Sequence, residues 1–541
     1  IRVPRLYDPL YVKPEPLVPR ELRLDVAERL DARGNVVTPL DLNDVAAAIG
    51  RIRKAQVESV AVTFLHSYVN DCHERKLGEI LRRELPDCFV TLSVEILPEI
   101  REYERVSTTV INAYLGPPIK RYLESLIKRL DGIGFSGRLL IMQSSGGMID
   151  AQTVIDKPAQ IVECGPAAGV IGSQQVGRQI GNNNLITLDM GGTTAKASLI
   201  EEGKLFRTDE YEVGGGISLS SRLIKGGGYA LKIPVIDISE VGAGGGSIVW
   251  LDRVGQMKVG PRSAGASPGP VCYSMGGSDP TVTDANVVLG YLNPKSLAGG
   301  ALAVDAEAAR RAIEEKIAKP LGRDVMDVAH GIYTIANITM MRAVKAISTY
   351  CGRNPPDFDM MAFGGNGSVH AADLAKALQM RRIIVPISAG VFSALGLLYS
   401  DIELELSKAL IGTIGRIEPA QMEEGYRGLA QEMTRHLRYD REEIKLTRFA
   451  NLRYVGQAYE LTVPVPDASL TPDSVAALSQ SFEAEHERMY GHRFPGKKEV
   501  QCISLRLRGT VVLKGRRTID TTAILGAHKS RGKEVTRPVY F

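Results

Sequence analysis

One stretch constrains this chain more than any other: an apolar run that ends in an acid and is followed by two glycines and two hydroxyl residues, Ile186-Thr187-Leu188-Asp189-Met190-Gly191-Gly192-Thr193-Thr194. The apolar run is typical of a buried strand, and the glycines allow a tight turn whose backbone can approach another group closely. Backbone N–H groups and hydroxyls at such a turn can hold a phosphate, and an Asp at a strand end can hold hydrated Mg²⁺. The stretch therefore makes ATP the first candidate ligand, although an ordinary hairpin turn also fits Gly-Gly after a strand.

Three other segments rich in small residues give this stretch a context. One lies upstream and two lie downstream: Glu163–Val170, Met361–His370 and Ala389–Gly396. Their order resembles the second half of the actin-like ATPase fold, which actin, sugar kinases and the large heat-shock chaperones share. The resemblance implies a small-residue hinge helix, then the phosphate loop, then a Gly-Gly turn against adenosine, then a second small-residue helix.

Composition bounds the class of protein. The 541 residues suffice for roughly three domains, and the net charge of +4 is too balanced to indicate nucleic acid or a membrane surface as partner. The six cysteines are scattered without a Cys-x-x-Cys pair. This pattern favours reduced thiols in a cytoplasmic protein over a zinc ribbon or a disulfide framework. No apolar run approaches the roughly 18 residues of a membrane span.

Alternating patterns predict an α/β fold with further α+β structure at the C-terminus. Strand and helix signals alternate from about residue 21 to 100, which is typical of parallel strands. A helix is predicted over 104–130, with a break or new start at Pro117-Pro118. A hairpin about Glu201-Glu202-Gly203 is predicted after the phosphate turn, residues 211–300 have few helix signals, and Asp324 is the predicted N-cap of a helix. After about residue 400, helices are predicted over 422–438 and 473–490, and alternating strands over 449–465 and 500–513. We therefore expect an N-terminal α/β domain over 1–135, a nucleotide-binding domain over 136–400 and an α+β domain over 401–541.

Several further motifs identify a family. The chain resembles hydantoinase A, the ATP-using subunit of the hydantoinase/oxoprolinase group, which also includes acetone and acetophenone carboxylases. The matching motifs, spread over nearly the whole chain, are Leu97-Pro98-Glu99-Ile100-Arg101-Glu102-Tyr103-Glu104-Arg105, Met142-Gln143-Ser144-Ser145-Gly146-Gly147, Gly165-Pro166-Ala167-Ala168-Gly169, Asp189-Met190-Gly191-Gly192-Thr193, Val241-Gly242-Ala243-Gly244-Gly245-Gly246, Thr281-Val282-Thr283-Asp284-Ala285-Asn286 and Arg453-Tyr454-Val455-Gly456-Gln457.

The chain departs from the family pattern in two ways. The family opens with a first phosphate loop of the Asp-x-Gly-Gly-Thr type, and no such loop precedes Arg5-Leu6-Tyr7-Asp8. We therefore expect an actin-like fold without that loop, and a half-built ATP site unless another polypeptide completes it. The family also carries Thr-Asp where this chain has Ala195-Lys196. Lys196 could help to hold the polyphosphate, could cost a Mg²⁺-organising carboxylate, or could simply face solvent.

The resemblance also implies a chemistry. ATP phosphorylates the carbonyl oxygen of a lactam or an enolisable ketone, a reaction that needs positioning, Mg²⁺ and charge neutralisation more than covalent help. Asp189 would act on the metal-bound water. The predicted nucleotide-binding residues are Gly165, Gly191, Gly192, Thr193, Thr194, Lys196, Gly364, Gly365 and Gly367. A helix-start turn is the structural alternative for the last three.

Two other carboxylates are candidates with structural alternatives. Asp284 could act as an acid or base or organise a metal, but it could equally cap the helix that follows it. Glu163 precedes the hinge helix and could orient the attacking group. Gly244-Gly245-Gly246 could form an anion nest or a close-packed loop.

Three functions remain open on the sequence. The first is an ATP-dependent hydrolase subunit that opens a cyclic amide of the hydantoin or 5-oxoproline type. The second is a ketone carboxylase subunit, and the third is a non-catalytic nucleotide-binding or scaffold subunit. The family resemblance implies a hydantoinase B-type partner and a hetero-oligomer.

Overall fold

A computed structural model describes residues 15–214, 228–513 and 536–541. The motif Arg5–Asp8 lies outside these ranges. Within them, two six-stranded sheets form the two largest hydrophobic cores, and a smaller α/β unit precedes both.

The first sheet positions the predicted phosphate loop. Its main strands, in chain order, are β1 (Leu185–Met190), β2 (Ala195–Glu201), β3 (Ile238–Val241), β4 (Asp359–Phe363) and β5 (Ile383–Ile384). They lie side by side in the order β3-β2-β1-β4-β5, and a sixth short strand, Lys204–Leu205, pairs with β2 in the predicted hairpin. Because β1, β4 and β5 are parallel, the turns that follow β1 and β4 meet at one edge of the sheet.

Helices cover both faces of this sheet, which explains why β1 and β4 are apolar almost throughout. The four helices are α1 (Cys164–Gln179), α2 (Val325–Ile347), α3 (Gly367–Ala377) and α4 (Phe392–Leu397). Residues of α1 and α4 pack on one face, and residues of α2 and α3 pack on the other. Asp324 caps α2 as predicted, since its side chain accepts a hydrogen bond from the N–H of Met326.

The N-terminal unit pairs two parallel strands, Ser59–Val62 and Phe89–Leu92, with two amphipathic helices, Leu42–Lys54 and Cys72–Glu84. A helix of 31 residues, Glu102–Gly132, follows.

The predicted break at Pro117-Pro118 is wrong, because these prolines lie inside that continuous helix. Packing on both sides of the prolines offsets the backbone bonds that they remove. Gly116 lies against the ring of Phe89, where an added Cβ would come within 2.2 Å, and Leu123 beyond the prolines is buried.

The second sheet contains the C-terminal strands and one earlier hairpin. Its strands, in spatial order, are Leu461–Val465, Lys445–Tyr454, Val500–Val511, Ile402–Thr413, Met148–Asp150 and Leu140–Met142. Two helices near the predicted positions, Pro419–Leu437 and Pro472–Tyr490, contribute to its core. The hairpin over 140–150 thus links the part of the chain before the phosphate loop to the C-terminal sheet.

The stretch over 211–300 is expected to be irregular, but its described residues include short strands and an α-helix. In addition to β3, they include the strands Tyr211–Val213, Tyr229–Leu231, Val235–Ile236, Ser247–Leu251, Met257–Ser263 and Ser296–Leu297 and the helix Val282–Val288. In the part of the chain that the structure covers, no helix combines the length and apolarity needed to cross a membrane.

Candidate nucleotide-binding site

The turn after β1 presents free backbone to open space. Asp189 lies one residue before the end of the strand, and the N–H of Gly191 donates to the carbonyl of Thr194 at 3.1 Å, closing the turn. A Cβ added to Gly191 or Gly192 would meet no atom within 4 Å. Among the described residues, the N–H groups of Gly192 and Thr193 have no hydrogen-bond acceptor. The turn therefore has the donors and the room that an anion needs.

The turn after β4 lies directly against Asp189. Gly364 has φ +82°, and a Cβ on it would lie 2.5 Å from Oδ1 of Asp189 and 2.6 Å from the carbonyl oxygen of Met190. The N–H of Asn366 donates to that same carbonyl at 3.0 Å. Gly365, next to Gly364, is exposed and faces open space. The structure therefore brings Asp189–Thr194 and Gly364–Gly367 to one place, where only glycine fits at position 364.

A third glycine segment, residues 244–246, packs against the turn after β1 and forms hydrogen bonds with it. The N–H groups of Gly245 and Gly246 donate to the carbonyls of Gly191 and Gly192 at 3.0 and 2.6 Å. A Cβ on Gly244 would lie 2.4 Å from the backbone of Thr193. Two N–H groups of this glycine segment therefore already have acceptors within the protein. Of the two alternatives for Gly244-Gly245-Gly246, the structure has the close-packed loop and not the anion nest.

The Asp189 carboxylate is available for a ligand. Burial raises its pKa above the usual value, and the nearby Lys196 opposes that shift only in part. Within the described residues, this carboxylate forms no hydrogen bond or ion pair. A partly buried carboxylate without a partner is typical of a group that binds a cation or a proton during function.

Lys196 lies next to Asp189 across β1 and β2, but its charge is already paired. Its ammonium is 3.1 Å from Oε2 of Glu163 and 3.3 Å from Oε1 of Glu240. Burial alone would lower its pKa, and the two carboxylates outweigh burial so that the pKa is raised. The other oxygen of Glu163 accepts a hydrogen bond from the Tyr211 hydroxyl at 2.8 Å. Lys196 therefore does not simply face solvent.

The carboxylate of Asp284 is buried and accepts four hydrogen bonds. It is fully buried and accepts hydrogen bonds from the N–H groups of Val271, Cys272 and Thr281 and from the Thr281 hydroxyl, all at 2.8–3.2 Å. Together with Thr281 it forms a capping box at the start of the helix Val282–Val288. Asp284 therefore caps this helix, as the structural alternative to an acid, base or metal-organising role predicts. The same hydrogen bonds stabilise the loop that supports the phosphate turn.

Gly165 lies in the first turn of α1, which begins at the same edge of the sheet. It is exposed, and a Cβ on it would meet nothing within 4 Å.

The sequence did not predict two residues that lie at this edge of the sheet, Glu240 and Asn366. Glu240 is the one charged residue of the short strand Ile238–Val241, and that charge is the signal that the sequence offers. The amide Oδ1 of Asn366 is buried without a partner in the described chain, a feature that no sequence pattern reveals.

A separate cavity of about 1010 Å³ lies between the N-terminal unit and the C-terminal sheet, and Asp189 does not line it. Its wall includes a buried ion pair, Lys232 with Glu99 at 2.5 Å, and a partly buried one, Arg506 with Asp209. Burial would raise the pKa of Glu99, but Lys232 and Arg506 outweigh it and the pKa is lowered. Glu99 belongs to the Leu97–Arg105 motif. Because Arg101 of this motif pairs with Glu210 and Glu460, the motif contacts both the middle and the C-terminal part of the chain.

The chain has structural relatives of the same architecture. A nucleotide-free acetone carboxylase structure superimposes with a TM-score of 0.76 and 28% identity, over 93% of this chain and 71% of that one. The fold is the mixed α/β fold of the actin-like ATPases with a further α+β part, as the order of glycine segments predicts.

Sequence relatives then give the family. The caprolactamase alpha subunit of Pseudomonas jessenii is 35% identical over 92% of this chain and 70% of its own length. The 5-oxoprolinase of Saccharomyces cerevisiae is 30% identical over 94% of this chain but only 39% of its own length. Residues 105–406 match the hydantoinase/oxoprolinase family, and residues 2–85 match the N-terminal region of that family. The chain belongs to the hydantoinase/oxoprolinase family, and the resemblance drawn from its motifs is confirmed.

Proposed function

We propose that this chain is the ATP-using part of an enzyme that activates the carbonyl group of a cyclic amide for ring opening. One observation carries the proposal. At one edge of the sheet, the unpaired carboxylate of Asp189 lies beside the turns after β1 and β4, and glycines of both turns face open space. Bound Mg-ATP would supply a phosphoryl group to the amide oxygen and leave as ADP.

The residues at this edge fit such a ligand. The N–H groups of Gly192 and Thr193 and the hydroxyls of Thr193 and Thr194 would hold phosphate oxygens. Asp189 would hold Mg²⁺ through water, since Mg²⁺ is usually bound by one or two carboxylates together with substrate phosphates. Gly364, Gly365 and Gly367 would let the backbone lie close to adenosine, and Gly165 would leave space at the start of α1.

The names of the relatives support the choice of substrate class. Caprolactamase and 5-oxoprolinase are named for cyclic amides, and both match more than nine-tenths of this chain. The structural likeness to acetone carboxylase favours a second candidate, the ATP-dependent carboxylation of a ketone. Because several relatives are named as subunits, we also propose a hetero-oligomer with a hydantoinase B-type partner.

Acceptor-dependent release of ADP tests the proposal. The chain is assayed with Mg-ATP, with and without a hydantoinase B-type subunit, in the presence of 5-oxoproline, hydantoin or caprolactam, or of bicarbonate with acetone. ADP release that depends on a lactam supports the first candidate. Release that requires bicarbonate together with the ketone supports the second, and the absence of ADP release under all conditions contradicts both.

A further inference from the structure

Three charged side chains form a row across three neighbouring strands. Asp189 of β1 pairs in register with Lys196 of β2, and Lys196 pairs in register with Glu240 of β3. Side chains directly opposite in antiparallel strands lie on the same face of a sheet. The row therefore places an ammonium between Asp189 and Glu240 at the edge where the phosphate turn begins.

A fourth charge completes the cluster from outside the sheet. Glu163 stands at the start of α1, and its Oε2 is 3.1 Å from Nζ of Lys196. The exposed fractions of the Lys196, Glu163 and Glu240 side chains are only 19%, 12% and 22%, so solvent screens their interactions weakly. Lys196 and Tyr211 together fix both oxygens of Glu163.

Glu163 is linked through Tyr211 to residues near the separate cavity. Tyr211, which donates to Glu163, directly follows Asp209 and Glu210 along the chain. Asp209 pairs with Arg506 in the cavity wall, and Glu210 pairs with Arg101 at 3.2 Å. The carboxylate that Lys196 holds therefore contacts the segment whose neighbouring members, Asp209 and Glu210, pair with Arg506 and Arg101.

We propose that Lys196 is a positioning residue for Glu163, and not a contact for the polyphosphate; this inference rests on the function proposed above. Two of its three N–H donors are directed to carboxylates, and its single charge is shared by two anions. Without Lys196, Glu163 and Glu240 repel each other and Glu163 loses its orientation. Turnover should then fall more than nucleotide affinity, provided that the net charge of the cluster is kept constant.

The test is a pair of variants that separates charge from contact. The single variant K196M adds one net negative charge beside the turn, which by itself weakens nucleotide binding. The double variant K196M/E240Q has the same net charge as the wild type and still lacks the ammonium. We expect its Kd for Mg-ATP, measured by calorimetry, to stay within about threefold of wild type while kcat falls about tenfold or more. K196R, which keeps the charge and the pairing, should recover most of kcat.

The outcomes are distinguishable. A Kd raised about tenfold or more in K196M/E240Q means that Lys196 touches the polyphosphate and overturns the proposal. Wild-type kcat in K196M/E240Q also overturns it, since Glu163 then needs no positioning. A wild-type protein that binds no Mg-ATP overturns the proposed function itself, and with it this inference.

Discussion

Gly364 and Asp189 lie so close that no side chain fits between them: a Cβ on Gly364 would be 2.5 Å from Oδ1 of Asp189. The contact exists because β4 and β1 are parallel neighbours and Phe363 pairs in register with Asp189. The turn that follows β4 is thereby held against the acid that precedes the phosphate turn.

The first prediction follows from this contact. G364A places a methyl group against the Asp189 carboxylate and the Met190 carbonyl at a backbone conformation, φ +82°, that alanine tolerates poorly. We expect a loss of about 1–3 kcal/mol in the free energy of unfolding, together with a loss of ATP turnover. Urea unfolding measures the first and ADP release the second. G365A is the matched control for stability, because its Cβ meets open space, and it should change the unfolding free energy by less than about 0.5 kcal/mol.

The second prediction concerns the charge of Asp189. D189N keeps the shape of the side chain and removes its charge, so we expect turnover to fall about 100-fold or more with the fold intact. Because burial raises the pKa of Asp189, the ionised carboxylate costs stability above that pKa. D189N should therefore melt at the same or a higher temperature than wild type at pH 7, and this difference should shrink as the pH falls toward 3.8. Unchanged turnover in D189N would remove the role assigned to this residue.

The third prediction separates the two roles open to Asp284. Its carboxylate accepts hydrogen bonds from four donors, three of them buried, so D284A leaves them without an acceptor and should cost about 3 kcal/mol or more. If the role is structural, the folded fraction of D284A should retain the kcat of wild type at a temperature well below its melting point. A large fall in kcat without a fall in melting temperature would instead indicate an acid, base or metal-organising role.

The fourth prediction uses His370, a core histidine of α3. Burial lowers the pKa of its imidazole to about 3. Its Nδ1 lies 2.7 Å from Oδ1 of Asn337, and its Nε2 lies 3.1 Å from the amide nitrogen of Asn286, which suits a neutral ring.

The consequence is a pH-dependent stability. A lowered pKa means that the unfolded chain binds the proton first, so stability is complete above pH 6.5 and is lost as the pH falls from 6.5 toward 3. The loss from this one group is about 1.4 kcal/mol per pH unit. The variant H370Q lacks the group, so a plot of its unfolding free energy against pH should have a shallower slope over that window. Equal slopes would show that His370 titrates normally.

The sequence predicts those features that local pattern determines. The strand before Asp189, the hairpin about Gly203 and the helix cap at Asp324 each follow from neighbours a few residues apart, and all three are present. The continuous helix through Pro117 was not predictable, because packing of Gly116 on Phe89 depends on a contact between distant segments. Partners such as Glu240 for Lys196 depend on strand order, which local pattern leaves open.

The most direct measurement is a crystal structure of the chain with Mg²⁺ and adenylyl imidodiphosphate, a non-hydrolysable analogue of ATP. We expect the terminal phosphates within hydrogen-bond distance, about 3.2 Å or less, of the backbone nitrogens of Gly192 or Thr193, with Asp189 on a Mg²⁺-bound water. Phosphates bound elsewhere, for example against Lys232 and Arg506 in the separate cavity, would contradict the assignment of this edge as the nucleotide site.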